Sequence, residues 1–125
     1  MNQAGHKGRR LLVAEDEVLI AMLLEDQLAE LGFAPGWHAE TVAQALTLVS
    51  EEETIAGAIL DLNLHGVAID PVAHKLAERN IPFCFMTGAD ASLPRYPHVP
   101  VLSKPFTASH LNAVIDRLFA HVDET

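Results

Sequence analysis

Short apolar runs alternate with longer amphipathic stretches along this chain, and no other feature narrows its fold more. Arg10 to Ala14 reads as a strand. Val18 to Leu31 reads as a helix, with Ile20, Leu24, Leu28 and Leu31 on one face and Gly32 as its stop. Phe33 to His38 is a weak strand disturbed by Pro35 and Gly36, and Val42, Ala45, Leu46 and Val49 form a second helical stripe. Ile55 to Leu60 is a strand that ends at Asp61, followed by a loop, "NLHG". Pro71 suits the first turn of a third helix running to about Arg79, with Asp70 as its N-cap. Ile81 to Met86 and Val99 to Ser103 are further strands, separated by a Gly- and Pro-rich stretch from Thr87 to His98. Thr107 caps a last helix whose apolar residues, Leu111, Val114, Ile115, Leu118, Phe119 and Val122, recur at helical spacing.

Five strands alternating with four clear helices predict an α/β fold. It is a doubly wound parallel sheet with helices on both faces and an irregular crossover before the last strand. The 125 residues suit one domain. No apolar stretch reaches the ~18 residues that span a bilayer, and the polar, basic start lacks a signal core. We therefore expect a cytoplasmic protein. Acids outnumber bases 17 to 8, and the only basic cluster is Lys7, Arg9 and Arg10 near the N-terminus, expected to aid solubility. That balance argues against a nucleic-acid partner. Cys84 lies among apolar neighbours and reads as a buried, inert thiol.

Parallel sheets carry their sites at the carboxyl ends of the strands. The first strand ends in Glu15-Asp16, the third in Asp61, the fourth in Thr87-Gly88 and the fifth in Ser103-Lys104-Pro105. Three carboxylates, a hydroxyl and an ammonium would therefore meet on one edge. Two carboxylates ~4 Å apart repel by about 1 kcal/mol in water and about 4 kcal/mol at an effective dielectric of 20. A divalent cation removes that cost, and an all-oxygen ligand set suits Mg2+, or Mn2+. Glu17 reads as a favourable first-turn residue of the following helix. Asp61, beside a metal, a lysine and a threonine, is a plausible phosphoryl acceptor.

The segments "LLVAEDE", "AILDLNLHG", "FCFMTG" and "VLSKPF", in this order, resemble the receiver domain of two-component response regulators over about residues 9 to 120. The resemblance implies a flavodoxin-like sheet with strand order 2-1-3-4-5, a receiver domain over 9–122 and a flexible tail over 1–8. It implies that Asp61 accepts a phosphoryl group from a phosphohistidine on a sensor histidine kinase or histidine phosphotransfer protein. Asp16, Asp61 and the backbone carbonyl of Asn63 would bind Mg2+ directly, with Glu15 acting through metal-bound water. Thr87 and Lys104 would hold the phosphoryl oxygens, Gly88 would leave them room, and the Lys104–Pro105 bond would be cis. Output would pass to a downstream protein target, without enzymatic turnover of a substrate.

The run "PFCFMTG" is similar to a subgroup of small receivers with a Phe-Ala-Thr-Gly run, with Met86 in place of the alanine and Asp90 where that subgroup tends to have tyrosine. Val101 stands where the family often has an aromatic residue that rotates on activation, which rules out that switch here. His65 replaces a common proline and reads as an exposed loop residue. His6, His38, His74, His98, His110 and His121 show no metal-ligand pairing and read as surface or satisfied residues. Trp37 and Tyr96 read as local packing.

Two other readings weigh against the signalling one. A phosphate sink or scaffold would accept the group without switching an output. A Mg2+-dependent phosphatase with an aspartyl nucleophile would want a second aspartate two residues after the first, where Asn63 stands.

Overall fold

The computed structural model describes residues 6–88 and 96–120. In chain order the elements are β1 (Arg10–Ala14), α1 (Val18–Glu30), β2 (Ala34–Ala39), α2 (Val42–Glu51), β3 (Ile55–Asp61), β4 (Asn63–Leu64), β5 (Val67–Ala68), α3 (Asp70–Glu78), β6 (Phe83–Thr87), β7 (Val101–Ser103) and α4 (Ala108–Leu118). The long strands form one parallel sheet in the order β2-β1-β3-β6-β7. With the ribbon β4–β5 set aside, this is the expected 2-1-3-4-5 order.

Strand alternation divides the core in two. Leu12 and Ala14 of β1, Ala58 and Leu60 of β3, and Phe83 and Phe85 of β6 face α2 and α3. Their neighbours Leu11, Val13, Ile59, Cys84 and Met86 face α1 and α4. A period of two puts successive side chains on opposite faces, so each central strand must be apolar throughout. Burying each large side chain contributes about 1.5–3 kcal/mol.

Local chemistry sets the helix starts. Thr41 Oγ accepts the Gln44 N–H at 3.0 Å, and Gln44 reaches back to the Glu40 N–H at 2.8 Å. Thr107 caps α4 as expected, accepting the His110 N–H at 3.1 Å. Each such cap contributes about 1 kcal/mol. The third helix starts one residue earlier than its capping pattern suggests: Ile69 takes the cap position, and Asp70 lies in the first turn with Pro71.

Several boundaries move. The expected strand over 33–38 runs from Ala34 to Ala39, that over 81–86 from Phe83 to Thr87, and that over 99–103 only from Val101. The "NLHG" loop contains a tight antiparallel ribbon, with His65 at φ 50° and Gly66 at φ 81° in its turn. Most of the Gly- and Pro-rich stretch after Thr87 lies outside the described residues. Tyr96, at its end, packs edge-on against Phe83 with centroids 5.5 Å apart.

Of the expected tail over 1–8, only residues 6–8 are among the described residues. His6 is buried and stacks on Phe33 at 4.5 Å. The Arg9 guanidinium lies 4.3 Å over the Phe119 ring, and that of Arg10 lies 4.0 Å over Trp37. These two arginines are packing groups as well as charges.

Among the described residues, the sheet ends at β2 on one side and at β7 on the other. On β2, Pro35 and a register shift opposite Arg10–Leu12 interrupt the ladder. A Cβ on Gly36 would fall 2.0 Å from the Leu11 carbonyl oxygen, so no larger residue fits there. The other edge, β7, has only three residues.

Candidate functional site

In-register pairing brings the strand ends together. Ala14 lies beside Leu60, Asp61 beside Met86, and Thr87 beside Ser103. The residues that follow therefore reach one rim. The Lys104 ammonium stands 2.8 Å from Glu15 Oε1 and 3.0 Å from Asp61 Oδ2. Its backbone N–H donates to the Thr87 carbonyl at 2.8 Å, which ties β7 to β6 at this point. The Lys104–Pro105 peptide is cis.

The acids play different parts. Glu15 is fully buried, and its Oε2 accepts the Glu17 N–H at 3.0 Å. Burial pushes its pKa up, against the opposing pull of Lys104. Asp16 is more open, and the His65 N–H donates to its Oδ2 at 2.8 Å. That backbone hydrogen bond holds the Asp16 pKa below the usual carboxylate range. Burial disfavours charge on Lys104, but the carboxylates of Glu15 and Asp61 outweigh it and raise its pKa.

Oxygens from Glu15, Asp16 and Asp61 all lie within 4.8 Å of one another. With Glu17 Oε1 3.8 Å from Lys104, three carboxylates surround one ammonium, and Asp16 adds a fourth acid to the same rim. The surplus of negative charge and the hard oxygen donors fit a small divalent cation. Asn63 sits just past Asp61 at the start of β4, its N–H 3.4 Å from Asp61 Oδ1. Gly88 leaves the space beside the Lys104 side chain open, since a Cβ there would meet only Cβ and Cδ of Lys104 at 3.9 and 4.0 Å.

The solution structure of SdrG from Sphingomonas melonis Fr1 is 42% identical to this chain, with a TM-score of 0.82 over 95% of this chain and 99% of that one. The chain belongs to the response regulator receiver family. The BeF3-activated conformation of SdrG from Pseudomonas melonis Fr1 is 45% identical over 87% of this receiver and 94% of that chain, with a TM-score of 0.76. The REC domain of the PhyR response regulator from Erythrobacter litoralis is 28% identical, with 93% of each chain covered and a TM-score of 0.77. No family model and no curated protein matches.

Three contacts at the receiver's rim escape a reading of the sequence. Glu17, expected in the first turn of α1, instead holds the cap position, makes no side-chain cap and turns toward Lys104. The His38 ring Nε2 lies 2.8 Å from the Glu15 carbonyl oxygen and braces the acidic pair from β2. The pairing of Val13 with His38 carries the signal for this contact, but it emerges only once the strand register is known. His65 is exposed as its loop position suggests, yet its backbone N–H reaches Asp16 Oδ2 at 2.8 Å while its Nδ1 stands 4.0 Å from the same oxygen.

Proposed function

We propose that this chain accepts a phosphoryl group on Asp61 from a phosphohistidine, in a Mg2+-dependent reaction of a two-component or phosphorelay system. The observation that carries the reading is the Lys104 ammonium set between Asp61 and the buried Glu15. An oxygen of Asp61 forms the new bond to phosphorus as the phosphorus–nitrogen bond to the donor imidazole breaks, and the imidazole leaves with its electron pair. Lys104 already contacts Oδ2, so Oδ1 is the better-placed nucleophile. Lys104 and the Thr87 hydroxyl then hold the transferred oxygens. Glu15, Asp16, Asp61 and the Asn63 carbonyl would hold Mg2+, which supplies charge neutralisation to the phosphoryl oxygens.

The donor is a sensor histidine kinase or a histidine phosphotransfer protein. The output is a contact with a downstream protein in the cytoplasm, and neither nucleic acid nor membrane takes part. The test is incubation with acetyl phosphate and Mg2+, read by intact mass. The wild-type chain gains one phosphoryl group and Asp61→Asn gains none. Equal labelling of both would overturn the assignment.

Val101 favours a second reading. It is aliphatic and 42% exposed, so no ring can swing inward from that position. A phosphate sink would show NMR shifts on phosphorylation only near Asp61, whereas a switching receiver would shift β7 and α4 as well.

A further inference from the structure

Glu15 is held at each of its polar groups. Its carboxylate oxygens meet the Lys104 ammonium and the Glu17 N–H, and its own N–H donates to the Ala39 carbonyl at 3.0 Å. The remaining group, the backbone carbonyl, lies 2.8 Å from Nε2 of the half-buried His38. A carbonyl oxygen only accepts, so Nε2 carries the hydrogen of this bond. Both backbone contacts come from the end of β2, where His38 and Ala39 pair with Val13 and Ala14. Together they fix the peptide plane between Glu15 and Asp16, and with it the direction in which the Asp16 side chain leaves the chain. From the opposite side the His65 N–H holds Asp16 Oδ2 at 2.8 Å.

We propose that His38 is a positioning residue for the cation site: its Nε2–H sets the Glu15–Asp16 peptide so that the Asp16 carboxylate faces that of Asp61. The proposal rests on the Mg2+-dependent phosphoacceptor reading and adds to it a group outside the acidic cluster. His38 is not one of the three residues whose oxygens lie within 4.8 Å of one another; it acts through the backbone. Mg2+ demands near-ideal octahedral geometry, so a small turn of this peptide matters to it. Removing a group that orients a metal ligand from behind costs about 10–100-fold in affinity. A bond that only tied down the outer strand would add stability and leave the cation's affinity unchanged. Neutral Nε2–H imidazole and imidazolium both donate from Nε2, so the tie needs no change of charge.

The test compares the wild-type chain with H38Q and H38N. Glutamine carries its amide nitrogen as many bonds from Cα as the histidine Nε2, whereas asparagine falls one bond short. H38Q can therefore renew the tie and H38N cannot. Mg2+ is titrated while NMR follows the amide signals of Asp16 and Asn63. H38N weakens Mg2+ binding about tenfold, and H38Q recovers most of the loss. Urea melts in EDTA supply the structural comparison. Equal Mg2+ affinity in wild type and H38N would overturn the proposal, whether or not stability falls, and so would an H38Q as weak as H38N.

The wild-type chain also offers a check that needs no variant. Ring 15N shifts, at a pH where His38 is neutral, show Nε2 protonated and Nδ1 bare; the Nδ1–H tautomer would overturn the proposal. Acetyl phosphate separates this role from the phosphoacceptor reading. If Mg2+ shifts Asp16 in wild type yet Asp61 takes no label, the phosphoacceptor reading falls and the role of His38 stands. If Mg2+ leaves Asp16 and Asn63 unmoved in wild type, both fall.

Discussion

Lys104 Nζ lies 2.8 Å from Oε1 of Glu15, a carboxylate with no exposed surface. Removing the ammonium leaves a buried charge without its counter-ion, which costs roughly 3 kcal/mol. Lys104→Ala is therefore expected to unfold at lower urea than wild type at neutral pH, with EDTA present. Once the pH falls below the raised pKa of Glu15, much of the deficit should disappear, because protonation discharges the carboxylate. An equal deficit at both pH values would mean that lost packing, not charge, is responsible.

The wild-type chain should show opposing pH effects at this rim. Glu15 binds its proton more tightly when folded, so acidification through its raised pKa stabilises the native state. Asp16 behaves in reverse: its stabilisation is present above the ordinary carboxylate pKa and is lost as pH falls through its lowered one. Asp16→Asn should therefore remove a source of acid lability. Urea melts across the acid range measure both effects.

Mg2+ should stabilise the fold by binding the native acids. At about 100 times its dissociation constant the gain is about 2.7 kcal/mol. Thermal melts with Mg2+ and with EDTA should differ for wild type and converge for the double variant Asp16→Asn, Asp61→Asn. A gain that survives in that variant would place the ion elsewhere.

Gly36→Ala tests the other end of the sheet. Its Cβ would meet the Leu11 carbonyl oxygen at 2.0 Å, a backbone atom that cannot swing aside. The expected loss is roughly 3 kcal/mol, as for overpacking in a core. Denaturant titration checks it, and Pro35→Ala serves as the milder comparison.

Cys84 should be silent to thiol reagents in the native state. Burial pushes its pKa up to about 12, so almost no thiolate exists at neutral pH. Labelling should follow the unfolding transition, and mass spectrometry across a urea series reads it.

Periodicity made the sheet and its helices legible, since strands buried on both faces are apolar throughout and the helices carry one buried stripe. The rim was legible for a related reason: a parallel sheet lines up its carboxyl ends, so Asp16, Asp61, Thr87 and Lys104 had to approach one another. What stayed hidden depends on register and rotamer. Nothing local to Glu17 says that it turns to Lys104, and nothing local to His38 ties it to Glu15. Arg9 and Arg10 read as charges because composition counts their heads, whereas their position over Phe119 and Trp37 depends on how the chain enters β1.

The two outer strands carry a further consequence. A straight, unbroken border of free amide and carbonyl groups invites another chain to add itself and so begin a fibril. Here one border is broken by proline and a slipped ladder, and the other is too short to template a long addition. Copies of this protein can therefore crowd together without zipping backbone to backbone.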